Sequence, residues 1–228
     1  MVSKRLQMVE AQARRVMDEL LTGDLGLAHN YEHVNRVRHW AVKLARQEGY
    51  ADLAMVQTAA LLHDIGLAYV TERRFHAEVG AEKTAQFLAI HHLFPDGEIA
   101  VICEAIRCHT KLEGGGLLGA ILRDADTLDL LGARGIMRAC TSMYQLPEYN
   151  PVQVKGETWG ITAGGMTARF QAGLGAGPTI VDHLNFQISC YENLYTEAAR
   201  AYGQPLIEYL RQYILQLEHE ITFAQQRH

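Results

Sequence analysis

What this sequence has little of narrows its class. Its four cysteines, Cys103, Cys108, Cys140 and Cys190, form no C-x-x-C pair in a chain of 228 residues. They read as free thiols in a reducing compartment, mostly core filler, rather than as a disulfide framework. No stretch approaches the roughly 18 uninterrupted apolar residues of a membrane span. Basic charge is not in surplus: 21 Lys and Arg face 26 Asp and Glu, for a net charge of -5. That argues against binding a nucleic-acid polymer, which needs a basic surface, while leaving room for a local basic pocket. The first 21 residues, MVSKRLQMVEAQARRVMDELL, are charged throughout and lack the apolar core of a signal peptide. A cytoplasmic protein is expected. A chain of this size can bury roughly 70% of its unfolded surface and needs no disulfide to hold a core.

Strand alternation and fixed-period repeats are also missing, and the dominant period is helical. Residues 4–21 carry Leu6, Val9, Val16, Leu20 and Leu21 among charges, and residues 31–48 align Val34, Val37, Trp40, Ala41 and Leu44. Helices are expected also near 51–63, 76–92, 97–109 and 117–131, and two long ones near 179–200 and 205–225, with Gly203 and Pro205 punctuating the gap. The fold class is therefore all-α, read as a single domain with a core over about 23–146 and C-terminal helices over 179–228. Residues 147–178 (PEYNPVQVKGETWGITAGGMTARFQAGLGAGP) are Gly-rich and short of helical period. A loop of that length is a surface excursion or an active-site lid.

The chemistry-bearing residues are histidines and aspartates. His63 and Asp64 end the apolar run AALLHDIGL. An ionisable pair at the end of a buried helix is costly unless it is paired or coordinates something. Gly66 can supply the backbone freedom that ends this helix. Alone, the pair is weak evidence of a metal site, and a hydrogen-bonded helix cap is the blander account. His33, in AHNYEHVNRV, precedes it by about one helix, and Asp126, in LRDADTLDLLG, follows, flanked by Asp124 and Asp129. Two imidazoles and two carboxylates make a donor set of borderline hardness, suited to Mn, Fe, Zn, Ni or Mg.

In the order H…HD…D, these motifs resemble the HD-domain metal-dependent phosphohydrolase superfamily. Within it the chain is most similar to the small bacterial HD hydrolases of the YedJ/YpgQ type. The likeness covers most of the chain, including its ending, TIVDHLNFQISCYENLYTEAAR and a last long helix. It implies an HD-domain helical bundle with one divalent metal, or two, held by His33, His63, Asp64 and Asp126. Asp124 and Asp129 are then left to cap backbone or to orient the ligands. His76, in FHAEVGAE with Gly80 four residues on, and His109, in ICEAIRCH, match histidines that hold a second ion in two-metal branches. Otherwise they serve as proton donors in the phosphate pocket or are structural. Arg36, three residues after His33, and Lys111, two after His109, are the preferred phosphate-binding cations, ahead of Arg73, Arg74, Arg107 and Arg123. His39, His91, His92, His183, His219 and His228 are read as surface or structural.

The sequence departs from the pattern at Asn30, where the group usually carries Asp. This removes a carboxylate near the site and changes what orients His33. The run Ile65-Gly66-Leu67-Ala68 lacks the acidic residues of the ppGpp-hydrolase branch, and no Gly-Tyr-Pro follows His109 as in the cyclic-dinucleotide branch. The resemblance implies hydrolysis of a phosphate ester or anhydride, on a nucleotide or another small phosphorylated metabolite. Two other readings stay open: an HD-type diiron oxygenase using all six ligands, and a non-catalytic helical binding module that keeps its metal for stability. A homodimer through the terminal helices is also open.

Overall fold

The computed structural model describes residues 4–225, and among these the chain is all-helical, with eleven α-helices and no strand. His228, read as solvated, lies outside them. The chain divides into two compact units, one ending at Asp129 and the other beginning at Leu130.

In the first unit, α1 (Lys4–Arg14) continues through a π-helical turn, Arg15–Leu20, to the short α2 (Asp24–Ala28). Then come α3 (Tyr31–Gln47), α4 (Leu53–Leu62), α5 (His76–Ile90), α6 (Asp96–Cys108) and α7 (Gly116–Asp129). Asn30 caps α3, its side-chain oxygen accepting from the His33 backbone N–H, so the residue that departs from the family pattern retains a structural task. Asp52 caps α4 by accepting from the backbone of Ala54 and Met55. From Met55 to Leu62, α4 is buried at every position except Gln57. An all-round apolar helix belongs at the centre of its unit, and α4 packs there against α1, α3, α6 and α7. Its C-terminus therefore delivers His63 and Asp64 into the interior.

Two glycines bring the next segment onto that end. After Asp64 the chain makes a 3-10 turn, Ile65–Tyr69, against which α5 packs. A Cβ on Gly66 would sit 2.0 Å from the His76 carbonyl oxygen and 2.6 Å from Gly80 N, and one on Gly80 would sit 3.3 Å from Gly66 N. The expected reason for Gly66, backbone freedom at a helix end, is corrected here: it takes no positive φ. What it permits is backbone-to-backbone contact, which sets the start of α5 beside Asp64.

The second unit holds α8 (Gly132–Ser142), α9 (Ala163–Gln171), α10 (Ile180–Cys190) and α11 (Glu197–Gln225). The expected break at Gly203 and Pro205 is not there. The chain turns instead at Tyr191–Asn193, and α11 runs unbroken through both residues. A Cβ on Gly203 would come within 3.1 Å of Tyr191 and Leu194, so this glycine lets the helix pack on that turn. Pro205 removes only one backbone donor, and the rest of the helix outweighs its loss.

The Gly-rich stretch is folded rather than featureless. It contains α9, capped by Thr162, and it is gathered around one buried carboxylate. Asp182 accepts from the backbone N–H and hydroxyl of Thr158 at 3.1 and 2.9 Å, and from those of Thr179 at 3.3 and 2.7 Å. Gly156 and Gly177, both at positive φ, pass so close that a Cβ on either would meet Asp182 within 2.6 Å. Two of the stretch's seven glycines thus serve turns laid against one side chain.

Candidate metal centre

Four histidines point their Nε2 atoms at two aspartates inside the first unit, and each has its other ring nitrogen already engaged. His63 Nδ1 donates to the Ala60 carbonyl at 2.8 Å, His76 Nδ1 to that of Arg73 at 2.6 Å, and His109 Nδ1 to that of Ile106 at 2.6 Å. These acceptors sit three residues upstream in each case, the spacing a helical turn brings into register. His33 Nδ1 donates to Asp129 Oδ2 at 2.9 Å. A carbonyl or carboxylate can only accept, so the proton of each neutral imidazole is fixed on Nδ1 and each Nε2 presents a lone pair.

The lone pairs converge in two groups on the two oxygens of Asp64. Oδ2 lies 3.5 Å from His33 Nε2 and 3.4 Å from His63 Nε2, and Asp126 Oδ1 closes this side at 3.4 and 4.0 Å from the same atoms. Oδ1 lies 3.5 Å from His76 Nε2 and 3.6 Å from His109 Nε2, which are themselves 3.2 Å apart. His33, His63, Asp64, His76 and His109 are all buried, with Asp126 partly open to solvent. Acceptors facing acceptors in a dry pocket repel one another unless a cation or a proton lies between them. His63 Nε2, fully buried, makes no hydrogen bond.

The electrostatics carry the same demand for positive charge. Burial by itself lowers the pKa of His63, but the Asp64 and Asp126 carboxylates outweigh it and push the imidazole up to about 9. Burial would raise Asp64, yet the nearby His63 and His29 and the hydrogen bond from His29 hold it well below the usual carboxylate range. Without an ion, a proton on His63 supplies the charge; a cation binding there must displace it. Imidazole and carboxylate donors around open coordination positions fit a divalent metal of borderline hardness.

The structure thus brings together six residues singled out from sequence: His33, His63, Asp64, Asp126, His76 and His109. It treats the two cations differently. Arg36 Nε and Nη2 both donate to Asp129, at 3.1 and 3.2 Å, so this arginine clamps the carboxylate that orients His33 and retains only Nη1 for other partners. Lys111 is exposed on the turn beyond His109. Of the other arginines weighed, Arg107 binds Glu78 and Glu104, Arg123 the Gly114 carbonyl and Arg74 Glu72. His39, His91, His92 and His219 are exposed, as expected.

Sequence reasoning missed one contributor, His29, and ranked another, Arg73, behind Arg36 and Lys111. His29 is buried and its Nδ1 lies 2.7 Å from Asp64 Oδ2. Arg73 Nη2 lies 3.1 Å from the other ring nitrogen of His29. His29 sits four residues before His33, across the start of α3; the signals for it were that proximity and its place in the His29-Asn30 pair, where the resembled group reads His-Asp.

A helical bundle with paired histidines and aspartates at the end of a buried central helix defines the class, and comparison with known proteins agrees. The HD domain family matches residues 30–131. Residues 30–131 thus carry an HD domain. It is similar to YpgQ of Bacillus subtilis, 35% identical over 141 residues, which is 60% of this chain and 66% of that protein. A crystal structure of YpgQ in complex with ADP aligns at a TM-score of 0.64 and 22% identity over 95% of both chains. A Lactobacillus plantarum protein aligns at 0.71 and 22%, covering 97% of this chain and 99% of its own. An HD-superfamily hydrolase from Bacillus thuringiensis aligns at 0.68 and 21%, covering 95 and 96%.

Proposed function

We propose that the protein is a metal-dependent phosphohydrolase acting on a nucleotide or another small phosphorylated metabolite. The observation that carries this reading is the convergence of the His33 and His63 Nε2 atoms on Asp64 and Asp126, every contact within 4.0 Å. His33, His63, Asp64 and Asp126 would hold the ion. When bound, it supplies Lewis-acid polarisation of a phosphoryl oxygen and acidifies a water molecule. The remaining steps belong to the chain. Asp129, clamped by Arg36, holds His33 in one orientation. His76 and His109, 3.2 Å apart at their Nε2 atoms, can hold one proton between them and deliver it to the leaving oxygen. Lys111 and Arg36 Nη1 are the proposed phosphate cations, stabilising charge on the equatorial oxygens. A nucleotide is favoured as substrate because YpgQ was crystallised with ADP.

One feature favours a second reading. The two oxygens of Asp64 face different histidine pairs, and His76 and His109 would hold a second ion. A two-ion centre also admits the diiron oxygenase chemistry of this fold, and metal identity separates the two. Elemental mass spectrometry on protein purified without chelator, followed by a nucleotide hydrolysis screen, is the test. Metal in the wild type, with hydrolysis falling more than about 100-fold in Asp126→Ala, is expected. A fall from two equivalents to one in His76→Ala assigns the second ion. Two irons with oxygen consumption and no hydrolysis would overturn the phosphohydrolase reading, as would no metal and no activity on adding Mn or Mg.

A further inference from the structure

His29 is the one imidazole of the cluster whose Nε2 does not point at a carboxylate, and the reason is Arg73. A guanidinium has donors and no acceptor. Arg73 Nη2, at 3.1 Å, therefore obliges His29 Nε2 to accept, which places the His29 proton on Nδ1 and directs it to Asp64 Oδ2 at 2.7 Å. Asp64 Oδ2 is the oxygen that also faces His33 and His63. One of its lone pairs is thus taken by His29 and another is left toward those two histidines.

Arg73 differs from the other arginines near the cluster. Arg36, Arg74, Arg107 and Arg123 are each bound to a carboxylate or a carbonyl of the chain. Arg73 is exposed, and among the described residues its side chain makes one polar contact, the bond to His29. Its own carbonyl receives the His76 Nδ1 proton at 2.6 Å, so its backbone is fixed beside the second histidine pair. A planar guanidinium with most of its five N–H groups open to solvent, at the edge of a buried acidic cluster, is shaped to take a phosphoryl oxygen pair.

We infer that Arg73 joins substrate to metal centre: one guanidinium nitrogen holds His29 in the tautomer that donates to Asp64, and its free nitrogens grip a substrate phosphate. The inference rests on the phosphohydrolase reading for the substrate, while its tautomer half stands without it. Arg73 is a substrate-binding residue, and His29 a positioning residue that acts through Asp64.

Glutamine at position 73 separates the two tasks, since its amide can still donate to His29 but carries no charge. Three measurements on the full-length protein test the idea. Nitrogen-15 NMR of the ion-free protein should show His29 protonated on Nδ1 in wild type and in Arg73→Gln. Manganese affinity should fall about 10- to 100-fold in His29→Ala and stay within about threefold in Arg73→Gln. ADP binding to the manganese-loaded protein, read by calorimetry without need of turnover, should weaken at least about tenfold in Arg73→Gln, and Arg73→Lys should recover part of the loss. A His29 proton on Nε2, or equal ADP affinity in wild type and Arg73→Gln, would overturn the inference. Failure of the hydrolysis screen with these three results intact would overturn the phosphohydrolase reading and leave Arg73 as an anion-binding residue.

Discussion

Replacing Gly66 by alanine tests how the site is assembled, because the change adds one methyl group and removes no ligand. The new Cβ would lie 2.0 Å from the His76 carbonyl oxygen, 2.6 Å from Gly80 N and 2.9 Å from Gly80 Cα. All three are backbone atoms, so no side-chain rotation relieves the overlap. Reaching even 3.0 Å from the oxygen requires α5 and the 3-10 turn to part by about 1 Å. Overpacking of this kind costs about 1–3 kcal/mol, a fall in melting temperature of roughly 2–12 °C for a chain of this length. The displacement acts on the start of α5, which carries His76, whose Nε2 stands 3.5 Å from Asp64 Oδ1. His33, His63 and Asp126 lie on other elements and should be disturbed less. Gly66→Ala is therefore expected to displace the His76–His109 pair first and to lower hydrolysis by about 100-fold, the usual effect of a misplacement near 1 Å. Gly80→Ala is the matched comparison: its Cβ would meet Gly66 N at 3.3 Å, a contact small adjustments relieve, and alanine favours the helix. Thermal melting, metal content and hydrolysis measured on both variants decide the matter. Wild-type behaviour of Gly66→Ala in all three would refute the close-approach argument, and an equal loss in both variants would refute its distance dependence.

Asp182→Ala should free the Gly-rich stretch, since one buried carboxylate accepts four hydrogen bonds there. At roughly 1.5–3 kcal/mol for each bond to a charged group, and without full additivity, a loss of at least about 3 kcal/mol is expected. Hydrogen exchange across 155–179 should accelerate; unchanged protection would contradict this. The pair Tyr31–Glu10, joined at 2.7 Å, should shape stability at both extremes of pH. Burial, then the bond to Glu10, raises the Tyr31 phenol from 10.0 to about 12, so its contribution is complete below pH 10 and is lost as pH climbs toward 12. The Tyr31 bond, aided by Arg38 and Arg14, lowers Glu10 below 4.5, so its contribution is present above that value and is lost as pH falls through the lowered one. Urea unfolding of Tyr31→Phe and Glu10→Gln beside wild type should show differences that shrink in those windows; differences independent of pH would count against both.

Helical period and the H…HD…D order made the all-α class and six clustered residues legible, because both are local features of the chain. An apolar run ending in His63-Asp64 announces a buried helix that delivers charge to the interior, and α4 does so. The Gly203–Pro205 punctuation misled because a glycine can serve packing and a proline can sit within a helix that its neighbours hold. Nothing local marks the Gly-rich stretch as folded, since its anchor, Asp182, lies outside the stretch itself.

By itself the sequence determined which side chains are available and on which faces: the imidazoles, the carboxylates, the caps at Asn30 and Asp52, and the buried character of α4. Only the tertiary structure decided how they are used. It turned Arg36 to Asp129, set Arg73 against His29, and gave each oxygen of Asp64 its own pair of histidines. Arg36 and Asp129 stand 93 positions apart in the chain, and Arg73 and His29 stand 44 apart. Hydrogen-bond direction and distance in a dry interior select among partners that a one-dimensional pattern leaves equivalent.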